Sequence, residues 1–202
     1  GAIKGKRKVG GLVGYSSALI FQSFADVEIY AYTESLDRSR YGEKIGGLVG
    51  ESRGTLQECH ATGIIVPMEC LSISQVGGLV GYNSSAIWRS YASVDIGESP
   101  NGNCAFSDEI GGLVGINKSH IEESFATGSV AGKTDLGGLV GRNNGGGIIN
   151  SYAIGMVKSR LASDVDYFDI GGLLGSGGNV FTSYAVGKIE VNSNGSLKRV
   201  GG

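Results

Sequence analysis

Val9-Gly10-Gly11-Leu12-Val13-Gly14 is the stretch that decides the fold, because close copies of it return along the whole chain. The copies are spaced by 26 to 36 residues, and a regular return at such intervals predicts a solenoid or a propeller. The first glycines of the copies, used below as anchors of the repeat, are Gly10, Gly46, Gly77, Gly111, Gly137 and Gly171, with a truncated copy at Gly201.

A second signature, Ser-aromatic-Ala, follows each anchor, and the segments around it are short and rich in Val, Ile and Tyr. Such segments between Gly, Asn and Ser are typical of β-strands, and no window has the apolar spacing of a helix. The repeat from Gly111 to Gly137 is too short for a propeller blade, which needs about 40 residues. The sequence therefore predicts an all-β fold, a right-handed parallel β-helix of residues 1–202 with about six repeats and about one coil per repeat.

Equivalent residues of successive coils stack about 4.8 Å apart, so each repeated position becomes a column. The leucines of the motif predict one interior column, and the alanines of the second signature predict another. The residue before each alanine points to the opposite face, so its aromatic rings, with His60 in one copy, should stack outside the core or beneath a loop. The paired glycines predict either a bulge or a corner that needs positive φ. The variable length before each anchor predicts surface loops there.

Composition excludes several classes of partner. The net charge of −2 and pI of 5.7 provide no field that would attract nucleic acid or an anionic membrane. No run of 18 apolar residues exists, and the basic start from Lys4 to Lys8 precedes no apolar signal segment, so we expect no direct membrane insertion. Because the chain begins and stops inside the repeat pattern, we expect a segment of a longer protein.

The linked signatures resemble the GLUG-motif repeat of bacterial secreted and cell-surface proteins. The clearest copies run from Gly111 to Val130 and from Gly137 to Val157. Such repeats occur in adhesin-like proteins and in the non-catalytic N-terminal part of IgA-specific metalloendopeptidases. The resemblance implies a repetitive β-structure that is extracellular or on the bacterial cell surface, and it carries no catalytic residues. Cys59-His60 departs from the pattern by replacing Ser-aromatic.

Cysteines are the first candidates for chemistry. Cys70 and Cys104 each lie seven residues before an anchor glycine, so they occupy equivalent places on adjacent coils, at a distance that a disulfide accepts. The alternative is two free thiols in loops of different register. Cys59 is interpreted as a small buried residue. It cannot easily share a metal ion with His60, because neighbouring residues of a strand point to opposite faces.

Other chemistry receives little support from the residues. The Gly-Gly copies lack the Asp ligand of calcium-binding nonapeptides, and the acidic stretches Asp108-Glu109 and 164–169 are interpreted as solvated loop faces. The repeated strands carry Gly, Leu, Val, Ser and Ala rather than the clustered carboxylates of a polysaccharide lyase or hydrolase. We expect no cofactor, no metal and no enzymatic activity.

The predicted function is therefore structural: a stiff stalk or spacer that presents variable loops for adhesion. The alternative is a carbohydrate-binding or host-ligand-binding module that uses the long loops or the aromatic row, above all Tyr91, Phe125, Tyr152 and Tyr184. A carbohydrate-active enzyme is the third possibility. Stacked coils have unpaired backbone at both ends, so flanking domains of the same protein or head-to-tail self-association should cover them.

Overall fold

The computed structural model describes residues 1–32, 43–68, 73–99, 105–160, 169–192 and 199–201, which form a parallel β-solenoid of about five turns. One repeat makes one turn, since Val76 pairs with Ile45 on one side and with Ile110 on the other. The predicted all-β solenoid with one coil per repeat is confirmed. Within the described ranges, no helix has the length and apolar character needed to cross a membrane.

Two sheets of six strands run along the solenoid. The second sheet takes the strand that follows each glycine pair: Val13–Ser16, Val49–Ser52, Val80–Asn83, Val114–Asn117, Val140–Asn143 and Leu174–Gly177. The third sheet takes the short strand that precedes each Ser-aromatic-Ala: Ile20–Phe21, Leu56–Gln57, Ile87–Trp88, Ile121–Glu122, Ile148–Ile149 and Val180–Phe181.

The first sheet has sixteen strands and combines two columns. One column precedes the glycine pairs: Val9–Gly10, Ile45–Gly46, Val76–Gly77, Phe106–Gly111, Asp169–Gly171 and Arg199–Gly201. The other follows Ser-aromatic-Ala: Ala2–Gly5, Phe24–Ala31, His60–Pro67, Tyr91–Ile96, Phe125–Ala126, Tyr152–Ala153, Val157–Arg160, Tyr184–Ala185 and Ile189–Asn192. In the shortest repeat a single strand, Val130–Gly137, pairs with both columns and joins them.

The paired glycines form a corner between the first and second sheets. The chain bends at Gly47 and Leu48, and the next strand begins at Val49. This bend interrupts the alternation of side chains, so Leu48 and Val49 are both fully buried. Of the two predicted forms, the corner is right. The expected positive φ is wrong, because none of the glycine pairs in the described residues has φ between +20° and +160°.

Space, rather than φ, explains the glycine pairs. A Cβ atom on Gly78 would lie 2.9 Å from the Cβ of Ala92 and closer still to the carbonyl oxygen of Gly112 in the next turn. The column of alanines is small for the same reason, since it packs directly against the second glycine of each corner. Glycine and alanine therefore allow the corner to close against the opposite sheet.

Left-handed backbone occurs instead at eleven described residues other than glycine, with φ between 44° and 62°. Such a φ is uncommon outside glycine, and here it recurs at two fixed places in the repeat. One place lies two residues before the anchor glycine in five repeats, and the other immediately precedes the Ser position of the second signature. The members are Lys8, Lys44, Gln75, Glu109 and Asp135 at the first place, and Gln22, Glu58, Arg89, Glu123, Asn150 and Thr182 at the second.

The core consists of stacked aliphatic columns. Leu48, Leu79, Leu113 and Leu139 are fully buried, and each contributes about 1.5–3 kcal/mol by the burial of its side chain. The predicted leucine column is confirmed for these inner turns. In the first turn Leu12 is 49% exposed, because no preceding leucine covers it among the described residues.

Buried polar columns connect the turns through hydrogen bonds. Asn83 Nδ2 donates to Asn117 Oδ1, and Asn117 Nδ2 donates to Asn143 Oδ1, both at 2.8 Å. In the serine column, Ser124 Oγ accepts a hydrogen bond from the backbone N–H of Ser90 at 3.1 Å. It donates a hydrogen bond to the carbonyl oxygen of Glu122, in its own turn, at 2.8 Å. These side chains satisfy backbone and amide groups that would otherwise be buried without partners.

Candidate functional site

An aromatic ladder lies along the outside of the first sheet. Neighbouring ring centroids are 4.7–5.2 Å apart and neighbouring ring planes differ by 1° to 6°. The expected stacking of these rings outside the core, with His60 as a member, is confirmed. The ladder comprises Phe24, His60, Tyr91, Phe125, Tyr152 and Tyr184, which includes all four residues predicted as a ligand surface.

Ring stacking limits what the ladder can bind. Each inner ring has a neighbouring ring on both of its faces, so it presents only its edge to solvent. The terminal rings Phe24 and Tyr184 each have one face not covered by the ladder, and they are 65% and 55% exposed. Sugar recognition by aromatic residues uses open ring faces, so the inner ladder suits rigidity better than sugar stacking. Ligand binding by these residues stays a prediction.

The cysteines divide between described and undescribed parts of the chain. Cys70 and Cys104 lie outside the described residues. Cys59 is a buried free thiol in the serine column, with its sulfur 3.2 Å from the carbonyl oxygen of Gln57. Burial raises the pKa of the Cys59 thiol, which makes it an inert core group. The described residues contain no group of three His, Cys, Asp or Glu side chains placed to share a metal ion.

Two columns of side chains meet at the glycine corner, and we call them together the charged corner. The first column immediately precedes the glycine motif, and the second follows its last glycine, seven residues later. Strand register stacks each column across successive turns. The first contains Lys8, Lys44, Gln75, Glu109, Asp135, Asp169 and Arg199, and the second contains Tyr15, Glu51, Tyr82, Ile116, Arg142 and Ser176.

The later turns form the acidic half of the charged corner, around a cavity of about 380 Å³. Arg142 connects two acids of this half, because it binds Glu109 Oε1 at 2.8 Å and forms an ion pair with Asp135. Arg199 binds Asp169 Oδ1 at 2.5 Å. The cavity lining therefore has four carboxylates and two guanidinium groups: Ser74, Asp108, Glu109, Thr134, Asp135, Arg142, Asp169 and Arg199.

Glu109 lies deep enough in this half for burial to shift its pKa. Burial raises the pKa of Glu109 above its ordinary value, and this outweighs the lowering effects of Arg142 and of the hydrogen bond with Gln75. A carboxyl group with a raised pKa beside a second carboxyl group is an arrangement that a general acid can use. The interpretation of Asp108-Glu109 as a solvated loop face is wrong for Glu109, whose side chain is 13% exposed and paired with Arg142, while Asp108 is exposed.

The early turns form the basic half. Glu51 is fully buried between Tyr15 and Tyr82, and its carboxylate binds Lys44 at 2.9 Å, Arg53 at 3.0 Å and Lys8 at 3.1 Å. Burial would raise the pKa of Glu51, but the hydrogen bonds from these three cations outweigh it and lower the pKa to about 2. Glu51 is therefore ionised throughout the neutral range and fixes the positions of three positive charges.

Cations also contact both tyrosines of the basic half. Lys8 Nζ lies 4.9 Å from the ring centroid of Tyr15, and Arg53 lies 5.9 Å from it. Around Tyr82, the corresponding distances are 4.3 Å for Lys44 and 5.5 Å for Lys118. These separations are within the range of a cation–π interaction.

Sequence reasoning missed the charged corner, although a signal for it exists. Lys44 and Glu51, and likewise Asp135 and Arg142, are oppositely charged residues that flank a glycine motif and lie seven positions apart in the sequence. A corner that reverses the chain brings such flanking residues together, and a comparison of the flanks across repeats would have found the pairs. Comparison with protein-family models, with curated proteins and with solved structures finds no match to this chain.

Proposed function

We propose that this chain is a structural repeat module, a stiff spacer within a bacterial extracellular or cell-surface protein. The observation that carries the proposal is the ladder of six rings with nearly parallel planes, joined by the asparagine and serine columns. The repeated positions use their side chains for contacts between turns. Such positions supply stiffness and leave few groups for chemistry.

Several features support a spacer that displays its loops. The six stacked strands of the second and third sheets, about 4.8 Å apart, give the module an axial length of about 24 Å, along which backbone and side-chain ladders both run. The segments of variable length all enter at one place in the repeat, before the anchor. Adhesion through those segments is the role that the GLUG resemblance implies, and we retain it as part of the proposal.

Apolar side chains are exposed on the first and last turns, and we propose that they are the contact surfaces for neighbours along the axis. The neighbour is a further domain of the same protein or a second copy of the module, stacked head to tail. Sedimentation velocity over a range of concentrations tests the second copy, since a concentration-dependent increase in mass supports self-association. The exposed side chains are Leu12, Leu19, Phe21 and Phe24 at one end, and Val180, Phe181, Tyr184 and Val186 at the other.

Force spectroscopy tests the spacer directly. The chain is pulled between marker domains, and Phe125→Ala is compared with Phe21→Ala, an exposed ring outside the ladder. Loss of two ring contacts should cost about 1–3 kcal/mol and lower the unfolding force, while the control should not. Equal forces for both variants would remove the support for a load-bearing ladder. A glycan that binds the wild type and is lost in Tyr152→Ala and Tyr184→Ala would favour the binding module instead.

The acidic half of the charged corner favours a second candidate, a carbohydrate-active enzyme. Glu109 with its raised pKa would be the general acid, and Asp135 or Asp169 would supply the second carboxyl group of the pair. The test is release of reducing ends from a panel of polysaccharides. Activity that disappears in Glu109→Gln and survives in Glu123→Gln would support the enzyme, and absence of activity in the wild type would end this candidate.

A further inference from the structure

We propose that the basic half of the charged corner binds an anionic polysaccharide, one that carries a carboxylate on each sugar. This site goes beyond the spacer function and lies on a different surface from the aromatic ladder. It consists of Lys8, Lys44, Arg53 and Lys118, arranged around Tyr15, Glu51 and Tyr82.

The basic half carries more positive charge than its acids neutralise. Three cations bind the single carboxylate of Glu51, and a fourth, Lys118, lies over the neighbouring ring of Tyr82. Glu43 is the nearest further acid in sequence, and its carboxylate accepts a hydrogen bond from the backbone N–H of Ser74 at 3.0 Å. With Glu43 included, two positive charges are left over, and an anion is the partner that would balance them.

Fixed positions make these cations suited to binding. Glu51 and the tyrosine rings hold the ammonium and guanidinium groups in place, so a ligand would not have to order long flexible side chains. Lys8 and Arg53 are nevertheless 47% and 59% exposed in their side chains, and Lys118 is exposed as well. Each of these three therefore retains donors that face solvent. One cation would be enough to neutralise the buried carboxylate of Glu51, so the other cations are available to a ligand.

The spacing of the site favours an extended polymer with several charges. Lys8 lies on the first turn, Lys44 and Arg53 on the second and Lys118 on the fourth, so the cations span about 14 Å along the axis. A polyuronate, in which each sugar contributes one carboxylate, is long enough to reach all three of these turns. The acidic half, with Glu109 and Asp135, begins on the fourth turn and would repel an anionic chain that continued further.

Nucleic acid fits this surface less well. Single strands obtain much of their affinity from bases that stack on open aromatic faces, whereas the rings of Tyr15 and Tyr82 already have cations placed over them. A neutral polysaccharide would find neither an ionic partner nor an open ring.

Isothermal titration calorimetry with oligogalacturonate at low salt tests the proposal. The double variant Arg53→Gln/Lys118→Gln keeps Lys8 and Lys44 on Glu51, so it should fold, and it should bind about tenfold more weakly. The matched control Arg89→Gln/Lys188→Gln removes the same two residue types from other surfaces and should bind like the wild type. Denaturation followed by circular dichroism checks that both double variants unfold at nearly the same denaturant concentration as the wild type.

Neutral dextran and a single-stranded oligothymidylate are titrated in parallel. Binding of oligogalacturonate alone, weakened only in the Arg53/Lys118 double variant, supports the site. No oligogalacturonate binding by the wild type overturns the proposal, as does an equal loss in both double variants. Tighter binding of oligothymidylate than of oligogalacturonate would replace the polysaccharide with nucleic acid. None of these outcomes affects the force measurement, so the spacer proposal stands or fails separately.

Discussion

Gly78→Ala tests the claim that the glycine pairs exist for space rather than for φ. The new methyl group would lie 2.9 Å from Ala92 Cβ, in a packed strand, and closer to the carbonyl oxygen of Gly112, in the corner of the next turn. The corner would have to move away from the next turn. That movement weakens the hydrogen bonds from Gly78 N to Gly111 O at 3.2 Å and from Gly47 N to Gly78 O at 3.0 Å.

The expected cost follows from these contacts. Overpacking of a close-packed site costs about 1–3 kcal/mol, and two weakened hydrogen bonds add about 1 kcal/mol each, so the free energy of unfolding should fall by about 3–5 kcal/mol. Gly178→Ala is the matched control, because a Cβ at Gly178 meets nothing within 4 Å. It should change stability by no more than about 0.5 kcal/mol.

Urea denaturation followed by far-ultraviolet circular dichroism measures both variants. Hydrogen exchange adds local information, since a damaged corner should lose protection at the amides of Leu79 and Leu113 first. If Gly78→Ala and Gly178→Ala both unfold at the urea concentration of the wild type, the steric explanation of the glycine pair is wrong. If both lose the same amount of stability, the steric explanation is also not supported, and glycine is generally required in these loops.

Three further predictions concern single polar groups. Asn117→Ala should lower the free energy of unfolding by about 2–4 kcal/mol in urea denaturation, because it interrupts the buried asparagine column on both sides, whereas the exposed Asn144→Ala should not. Cys59→Ser should change stability by less than about 1 kcal/mol, since serine fills this column in other turns, and the wild-type thiol should react with a thiol reagent only on unfolding. Glu51 has a folded-state pKa of about 2 against an ordinary 4.5, so its contribution of about 3 kcal/mol is complete above pH 4.5 and is lost as the pH falls toward 2. In Glu51→Gln, the free energy of unfolding measured against pH should not show this decrease between pH 4.5 and pH 2.

Periodicity was sufficient to predict the columns of the solenoid. The leucine, alanine and aromatic positions recur in phase, and a position that recurs in a coiled chain must stack on itself. Which side of the backbone a column occupies follows from alternation only while the strand continues. At Leu48 and Val49 the strand is interrupted, and both side chains are buried where alternation alone would separate them.

The charged corner could not be predicted from the recurring positions of the repeat. Residues such as Lys44 and Glu51 do not repeat in chemical type, so they carry no periodic signal, and their seven-residue separation has meaning only when the corner between them is known. Glu109 illustrates the same limit, because its raised pKa results from burial, against the lowering effect of Arg142 from the next turn.

The amino-acid sequence by itself determined the repeat length, the all-β class, one coil per repeat and the identity of the stacked columns, because each of these depends only on what recurs and at what interval. The tertiary structure alone decided that the glycine pairs turn a corner without positive φ, that the aromatic rings cover one another's faces, and that opposite charges gather at the two halves of one corner. Those properties depend on the distance between neighbouring turns and on the path of the chain at each bend, which a one-dimensional pattern does not contain.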